Sequence, residues 1–145
     1  MIFSSTDLEF KVKEKIKMNT LIIDAANDKI FLMIITNDNT YNVSHDNSKI
    51  NYEKLIILVN DFLYSKNLKI SNINKIYVNR GPGSFAGIRN SLSVVKAFNV
   101  AMKIDYYCYS LIDFKLEKDF KYSNIPSLSD KLNIKKNLIN PIYIS

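Results

Sequence analysis

The sequence contains very little cysteine, histidine, glycine or tryptophan. Its 145 residues include one cysteine (Cys108), one histidine (His45), three glycines and no tryptophan. A single thiol cannot form an internal disulfide, and it cannot supply a multi-cysteine zinc site. The composition therefore excludes a disulfide framework, a cysteine-rich zinc module and a histidine-rich metal centre.

Long apolar runs are also missing. No stretch approaches the ~18 to 20 apolar residues of a membrane-spanning helix, and residues 1–10 lack the basic end and long apolar stretch of a signal peptide. Hydrophobic residues nevertheless make up 47% of the chain. A chain of this size buries roughly 68–70% of its unfolded surface, so we expect one soluble, cytoplasmic domain with its own core.

The chain has a net positive charge, but its basic residues are not clustered in the sequence. There are 20 Lys and Arg residues against 14 Asp and Glu, giving a net charge of +6. Only Arg80 and Arg89 are arginines, and the lysines are scattered along the whole chain. Scattered lysine favours a solvated surface over a stripe that binds phosphates, although a small basic RNA-binding module stays an alternative.

The hydrophobic periodicity predicts the element order βββαβαβ. Strands are expected at 20–24, 29–36, 40–44, 75–79 and 105–110, and helices at 51–66 and 85–102, with Asn51 and Ser84 as their N-caps. Three meandering strands followed by crossover units form a mixed sheet flanked by helices. This is an α/β domain of the ribonuclease H-like, or actin-like, class.

The two ends of the chain have weaker patterns. Residues 1–17 are predicted to be an N-terminal extension, with Met18 as a second candidate for the start of the protein. Residues 18–112 form the predicted domain. Residues 113–145 form a reduced segment packing on it, with a loop around Pro126, a helix at 127–136 and a strand at 141–144.

All three glycines and both arginines lie between residues 80 and 89. Glycine is needed where φ is positive or where another group approaches the backbone closely. The loop precedes a helix, whose free N–H groups predict an anion site or a contact with carboxylates of another chain. Arginine at this helix end costs about 0.3–1 kcal/mol, so we expect either local carboxylates or a ligand to compensate it.

Familiar nucleotide and nucleophile motifs do not fit this loop. Five residues separate Gly81 from Gly87, whereas a P-loop has four, and no lysine follows. Pro82 and Ala86 stand where a nucleophile elbow needs glycine. Ser84 is therefore predicted to be a helix cap and not a nucleophile.

The segment closely resembles a motif of the bacterial TsaB (YeaZ) family. Residues 80–89 read RGPGSFAGIR, followed by Ser91-Leu92-Ser93 and Lys96-Ala97, against RGPGSFTGIR, LS and KG in the family. Residues 21–24 resemble the family's first strand, residues 51–62 its first helix and residues 140–144 its closing PVYL segment. The loop motif maps onto Arg80, Gly81, Pro82, Gly83, Ser84, Phe85, Gly87 and Arg89. The chain is thus similar to a shortened TsaB that lacks most of the second domain.

This resemblance implies an actin-like, noncatalytic subunit. Such a subunit forms a heterodimer with a TsaD-like protein and, with a TsaE-like ATPase, supports threonylcarbamoyladenosine formation in tRNA. The partner complex uses ATP and Mg²⁺, and the resemblance implies no cofactor or metal on this chain. The sequence departs from the family at Ala25, Ala26, Asn51 and Ala86, where Thr, Ser, His and Thr are usual, so some hydroxyl and imidazole contacts are lost.

The apolar arcs of the two long helices are wider than one sheet face requires. We therefore predict a partner interface with the TsaD-like subunit, or with a second copy of this chain when that partner is absent. Its predicted residues are Tyr52, Ile56, Val94, Ala97, Phe98 and Ala101. The alternative is that residues 111–145 cover these side chains.

A ribonuclease H-like nuclease is the competing function. Asp24 and Glu53 stand where such an enzyme carries metal-binding carboxylates, but the next strand ends in Asn79 and Arg80. Asp24 is better interpreted as a polar strand end that bonds nearby backbone. Cys108 is predicted to be a buried strand thiol, and His45 is expected in an exposed loop.

Overall fold

A five-stranded mixed sheet forms the centre of the structure, a computed structural model that describes residues 17–143. Its strands are β1 (Thr20–Asp24), β2 (Lys29–Ile35), β3 (Thr40–Asp46), β4 (Lys75–Asn79) and β5 (Asp105–Tyr109), in the spatial order β3-β2-β1-β4-β5. The β1–β2 and β2–β3 pairs are antiparallel, and the β1–β4 and β4–β5 pairs are parallel. This topology confirms the predicted ribonuclease H-like fold.

Helices flank the sheet. They are α1 (Lys49–Glu53), α2 (Leu55–Ser65), α3 (Phe85–Met102) and α4 (Ile125–Lys131), with single 3₁₀ turns at Ile70–Asn72, Leu111–Phe114 and Tyr122–Asn124. Nowhere in residues 17–143 does a helix combine the length and the apolarity that crossing a bilayer requires.

Both faces of the sheet are covered. All five residues of β1 are buried, as expected for a central strand with a layer on each side. On one face Leu21 and Ile23 pack with the inner sides of α1, α2 and α3. On the other, Ile22 packs in a cluster with Phe114, Ile125 and Leu128 of the segment after β5. The segment after β5 therefore lies on the face opposite α1, α2 and α3.

The first predicted helix begins earlier than expected and is split. Its N-cap is Ser48, whose hydroxyl accepts a hydrogen bond from the Asn51 N–H at 3.2 Å. Asn51 lies inside the helix, and its side-chain amide donates to the carbonyl of Asp46 at 2.8 Å. The prediction of Asn51 as the cap is wrong, because its side chain ties the helix to the end of β3 instead. The helix is also interrupted at Lys54, which separates α1 from α2.

Two predictions about loops are also wrong. β3 continues to Asp46, so half-buried His45 lies in an edge strand and not in a loop. Pro126 lies in the first turn of α4, where its missing N–H has no helical partner to lose. This helix ends at Lys131, five residues earlier than predicted, at 131 against 136.

The final residues run beside β5. Lys136 forms an antiparallel bridge with Tyr107, and the Asn137 side chain accepts from the Tyr106 N–H at 3.0 Å. Residues 141–143 form no strand, although the Ile142 N–H donates to the Arg80 carbonyl at 2.7 Å. The rest of the predicted last strand and residues 1–16 of the predicted extension lie outside the described residues.

Candidate functional site

The glycine loop, residues 80–84, packs directly on the turn that follows β1. The Ser84 N–H donates to the Ala26 carbonyl at 2.8 Å. A Cβ added at Gly83 would lie 2.1 Å from the Ala26 carbonyl oxygen, and one added at Gly87 would lie 1.7 Å from that of Ala25. The close approach expected at these two glycines is therefore made by the chain's own backbone, with no ligand required.

Gly81 and Ser84 shape the two ends of the loop. Gly81 has a φ of +103°, a conformation that side chains disfavour, and its N–H donates to the Asn79 side chain at 2.8 Å. Ser84 caps α3 as predicted, since its hydroxyl accepts from the Gly87 N–H at 3.2 Å. The same hydroxyl lies 3.2 Å from the Tyr52 hydroxyl. Ser84 is thus committed to structural hydrogen bonds.

The two arginines have different surroundings. Arg80 donates to the Asn140 carbonyl at 3.1 Å and lies 3.7 Å from Asp113, beside a cleft of about 430 Å³. Arg89 is exposed, and its guanidinium has no hydrogen bond or ion pair with any of residues 17–143. A local carboxylate therefore compensates the charge of Arg80, as one of the two predicted alternatives requires. Among the described residues, no carboxylate does so for Arg89.

Asp24 is buried at the end of β1, with an exposed fraction of 1%. Its carboxylate accepts from the Tyr122 hydroxyl at 2.7 Å, the Ala26 N–H at 3.1 Å and the Asn27 side chain at 3.2 Å. Burial, together with the charge of Asp24, raises the pKa of Tyr122. The backbone contact agrees with the expected polar strand end. The tyrosine contact has no sequence signal, because the two residues are 98 positions apart.

The carboxylates do not assemble as a nuclease centre. Among residues 17–143, no group of three His, Cys, Asp or Glu side chains is placed to hold a metal ion. Asn79, at the third position of such a site, accepts from the Gly81 N–H. The oxygens of Asp24 are already occupied by protein donors.

The six predicted interface residues divide into two groups. Tyr52 and Phe98 expose only 7% and 6% and belong to the core, so their placement on an outer face is wrong. Tyr52 points inward because its hydroxyl meets Ser84. Ile56, Ala97 and Ala101 are exposed, and Val94 is half-buried.

The segment after β5 does not cover those exposed side chains. Residues 111–134 contribute to the cluster on the opposite sheet face. Only the tail reaches α3, where the ring of Tyr143 lies 4.7 Å from that of Phe85. Phe85 itself is 56% exposed. Within the described residues, the alternative that residues 111–145 cover the exposed side chains of the helices is therefore wrong.

Cys108 is expected to be unreactive in the folded protein. Its side chain is 3% exposed, and burial raises the pKa of the thiol from 9.0 to about 11. We expect iodoacetamide at pH 8 to modify Cys108 only after denaturation, as measured by intact mass, because both access and the thiolate are suppressed. Modification of the native protein at the rate of a free thiol would contradict this.

The raised pKa of Cys108 also makes the stability of the folded protein depend on pH. The folded thiol keeps its proton to higher pH than the unfolded one, so this contribution to stability is complete below pH 9 and is lost as pH rises through about 11. Urea midpoints measured between pH 8 and 11 should therefore fall less for Cys108→Ala than for the unmodified chain.

The model of a family described as "TsaD: tRNA N6-adenosine threonylcarbamoyltransferase" matches residues 45–126. Two TsaB proteins, "tRNA threonylcarbamoyladenosine biosynthesis protein TsaB" from Buchnera aphidicola subsp. Schizaphis graminum and subsp. Acyrthosiphon pisum, are each 22% identical over 101 residues. These matches cover 70% of this chain and 48% and 46% of the relatives. The chain thus spans about half the length of the curated relatives it matches.

A solved structure shows the same fold. YeaZ from Pseudomonas aeruginosa superposes with a TM-score of 0.60 at 19% identity. The match covers 70% of this chain and 49% of that one. The likeness in three dimensions therefore extends over about half of that protein.

Proposed function

The chain belongs to the TsaB (YeaZ) family, and on that basis we propose that it supports threonylcarbamoyladenosine formation in tRNA as a noncatalytic subunit. The observation that carries the proposal is the similarity to two TsaB proteins. The match of the TsaD family model over residues 45–126, which include the glycine loop and α3, supports it. The partner would be a TsaD-like subunit. A TsaE-like ATPase would join the larger complex, in which ATP and Mg²⁺ are used away from this chain.

The placement of the reactive side chains supports a binding role. Ser84 caps α3, Cys108 is buried and protonated at neutral pH, and Asp24 accepts hydrogen bonds from the protein itself. An activated nucleophile needs a neighbouring base or a lowered pKa. The Ser84 hydroxyl contacts the Tyr52 hydroxyl and the Gly87 N–H, neither of which is a base, and burial raises the pKa of Cys108. We propose accordingly that this chain acts by contact, in the cytoplasm, and meets tRNA only through its partners.

The outer sides of α2 and α3 supply the proposed contact surface. Ile56, Ile57 and Val100 expose 41%, 53% and 72% of their surface, although the segment after β5 packs on the opposite sheet face. Contiguous patches of exposed apolar side chains mark interaction sites, and we propose that these three residues belong to one such patch. A second copy of this chain would occupy the same surface when the TsaD-like subunit is absent.

Co-expression with the TsaD-like protein of the same genome tests this function. We expect the two chains to co-purify and threonylcarbamoyladenosine to form only when both are present with the ATPase. Ile56→Glu should abolish co-purification, because a buried, unpaired charge would lie in the interface. Circular dichroism should show that the variant remains folded.

A matched control separates the interface from general loss of apolar surface. Leu116 is 88% exposed on the segment after β5, so Leu116→Glu should leave the complex intact. Absence of a complex with the unmodified chain, or an undiminished complex with Ile56→Glu, would contradict the proposal. Cleavage of RNA–DNA hybrid in Mg²⁺ or Mn²⁺ that is lost in Asp24→Ala, while circular dichroism shows that this variant is still folded, would favour the nuclease instead.

A further inference from the structure

Arg89 stands between two hollows on the outer surface of α3. The first hollow, of about 600 Å³, lies between α1 and α3, where Lys49 and Phe85 contribute to its wall. The second, of about 380 Å³, lies between α3 and the tail, with Lys96 and Tyr143 in its wall. Arg89 lines both hollows, so its side chain forms a ridge between them, here called the Arg89 ridge.

The ridge has a surplus of positive charge. α3 carries Arg89 and Lys96 but no aspartate or glutamate along its 18 residues. Glu53 lines the first hollow together with Lys49 and Arg89. Among the described residues, it forms no ion pair with Lys49 or with Arg89. Arg89 also lies about one turn from the N-terminus of α3, where the helix dipole disfavours a cation. An external carboxylate would offset both effects.

The walls of the hollows are suited to apolar side chains. Phe85 and Tyr143 are in ring contact and expose 56% and 44%, and Ile139 exposes 38%. Two small residues also line these hollows: Ala86 lines the first, and Ser93 lines both. Side chains that follow one face of α3 at a spacing of three or four residues form ridges and grooves that match a second helix.

We propose that the Arg89 ridge binds a helix of the TsaD-like subunit through an aspartate or glutamate on that helix. The carboxylate meets the Arg89 guanidinium, and apolar neighbours on either side enter the two hollows. This inference rests on the proposed function and names the chemistry of its interface. The pair is charge-assisted and planar, a geometry in which arginine forms two parallel hydrogen bonds and lysine cannot.

Binding of the full-length Arg89→Glu and Arg89→Lys variants to the TsaD-like subunit tests the contact. Calorimetry at low and high salt should show affinity reduced by about 30-fold or more for Arg89→Glu, since one partner of a close pair is reversed. Arg89→Lys should retain an intermediate affinity. Lys118→Glu is the control: it makes the same change in net charge at an exposed site on the segment after β5.

The possible outcomes separate the two proposals. Equal affinities for Arg89→Glu and the unmodified chain, or equal losses in Arg89→Glu and Lys118→Glu, would overturn the ridge contact while the subunit function stands. No binding by the unmodified chain would refute the function and the contact together. No variant should have a lower melting temperature, because the Arg89 side chain has no hydrogen bond or ion pair within residues 17–143.

Discussion

Replacing Gly87 with alanine should destabilise the protein by about 3 kcal/mol, even though alanine is the better helix former. A Cβ at this position would lie 1.7 Å from the carbonyl oxygen of Ala25 and 2.8 Å from its carbon. Both atoms belong to the backbone of the turn after β1, so no flexible side chain can move aside. The helix-propensity gain of about 1 kcal/mol cannot offset a displacement of α3 from the sheet.

Urea unfolding followed by circular dichroism measures this effect. Ser93→Ala is the matched control, because it places the same residue on the exposed side of the same helix. We expect Ser93→Ala to change the free energy of unfolding by less than about 0.5 kcal/mol. If Gly87→Ala were as stable as the unmodified protein, the close approach of Ala25 would not be the reason for glycine here.

The glycine loop shows how far sequence reasoning can reach. Concentration of glycine in one segment predicted two possible needs, a positive φ or a close approach, and the structure assigns them separately. Gly81 has the positive φ, and Gly83 and Gly87 allow the approach. The approaching group could not be identified from the sequence, because it is the backbone of Ala25 and Ala26, which carries no side-chain signal.

That backbone contact also bears on a departure from the family pattern. Ala25 and Ala26 replace the usual Thr and Ser, so hydroxyl contacts are expected to be lost there. The contacts seen are instead made by the two carbonyl groups: that of Ala26 contacts the loop at Gly83 and Ser84, and that of Ala25 faces Gly87 in α3. Both alanines are almost fully buried. The packing of the loop on β1 therefore does not depend on those hydroxyls.

The strands of the sheet could be predicted because each is marked by a local run of apolar residues. The direction of side chains at the edge of a helix's apolar arc could not be predicted in this way. Strand β1 is a continuous apolar run, and its burial on both faces follows from its central position. Tyr52 lies at the edge of the apolar arc, and periodicity gives the width of such an arc but not which edge faces the core. Its inward position depends on a hydrogen bond to Ser84, 32 residues away.

The cap of the first helix was missed for a similar reason. Ser48 and Asn51 are both good capping residues, and local preference does not choose between them. The choice is made by the carbonyl of Asp46, which accepts from the Asn51 side chain and places Asn51 within the first turn. Contacts with the end of β3 therefore set the start of α1.

The Asp24→Ala substitution should lower the free energy of unfolding by about 3 kcal/mol. It would leave the buried Ala26 N–H without its acceptor and remove the acceptor of the Tyr122 hydroxyl, which lies 2.7 Å from the carboxylate. Asp61→Ala, which removes an exposed carboxylate on α2, should change stability by less than about 0.5 kcal/mol.

Tyr122→Phe separates the two parts of this loss. It removes only the hydroxyl that joins the segment after β5 to β1, and we expect a cost of about 1.5 kcal/mol, because a hydrogen bond to a charged group is lost. The double variant should lose less than the sum of the single losses, since both changes break the same bond. If the two losses of stability were strictly additive, the hydrogen bond between Tyr122 and Asp24 would contribute nothing, and Asp24 would stabilise only the turn at Ala26. Apolar packing around Phe114, Ile125 and Leu128 would then be what holds the segment after β5 on the sheet.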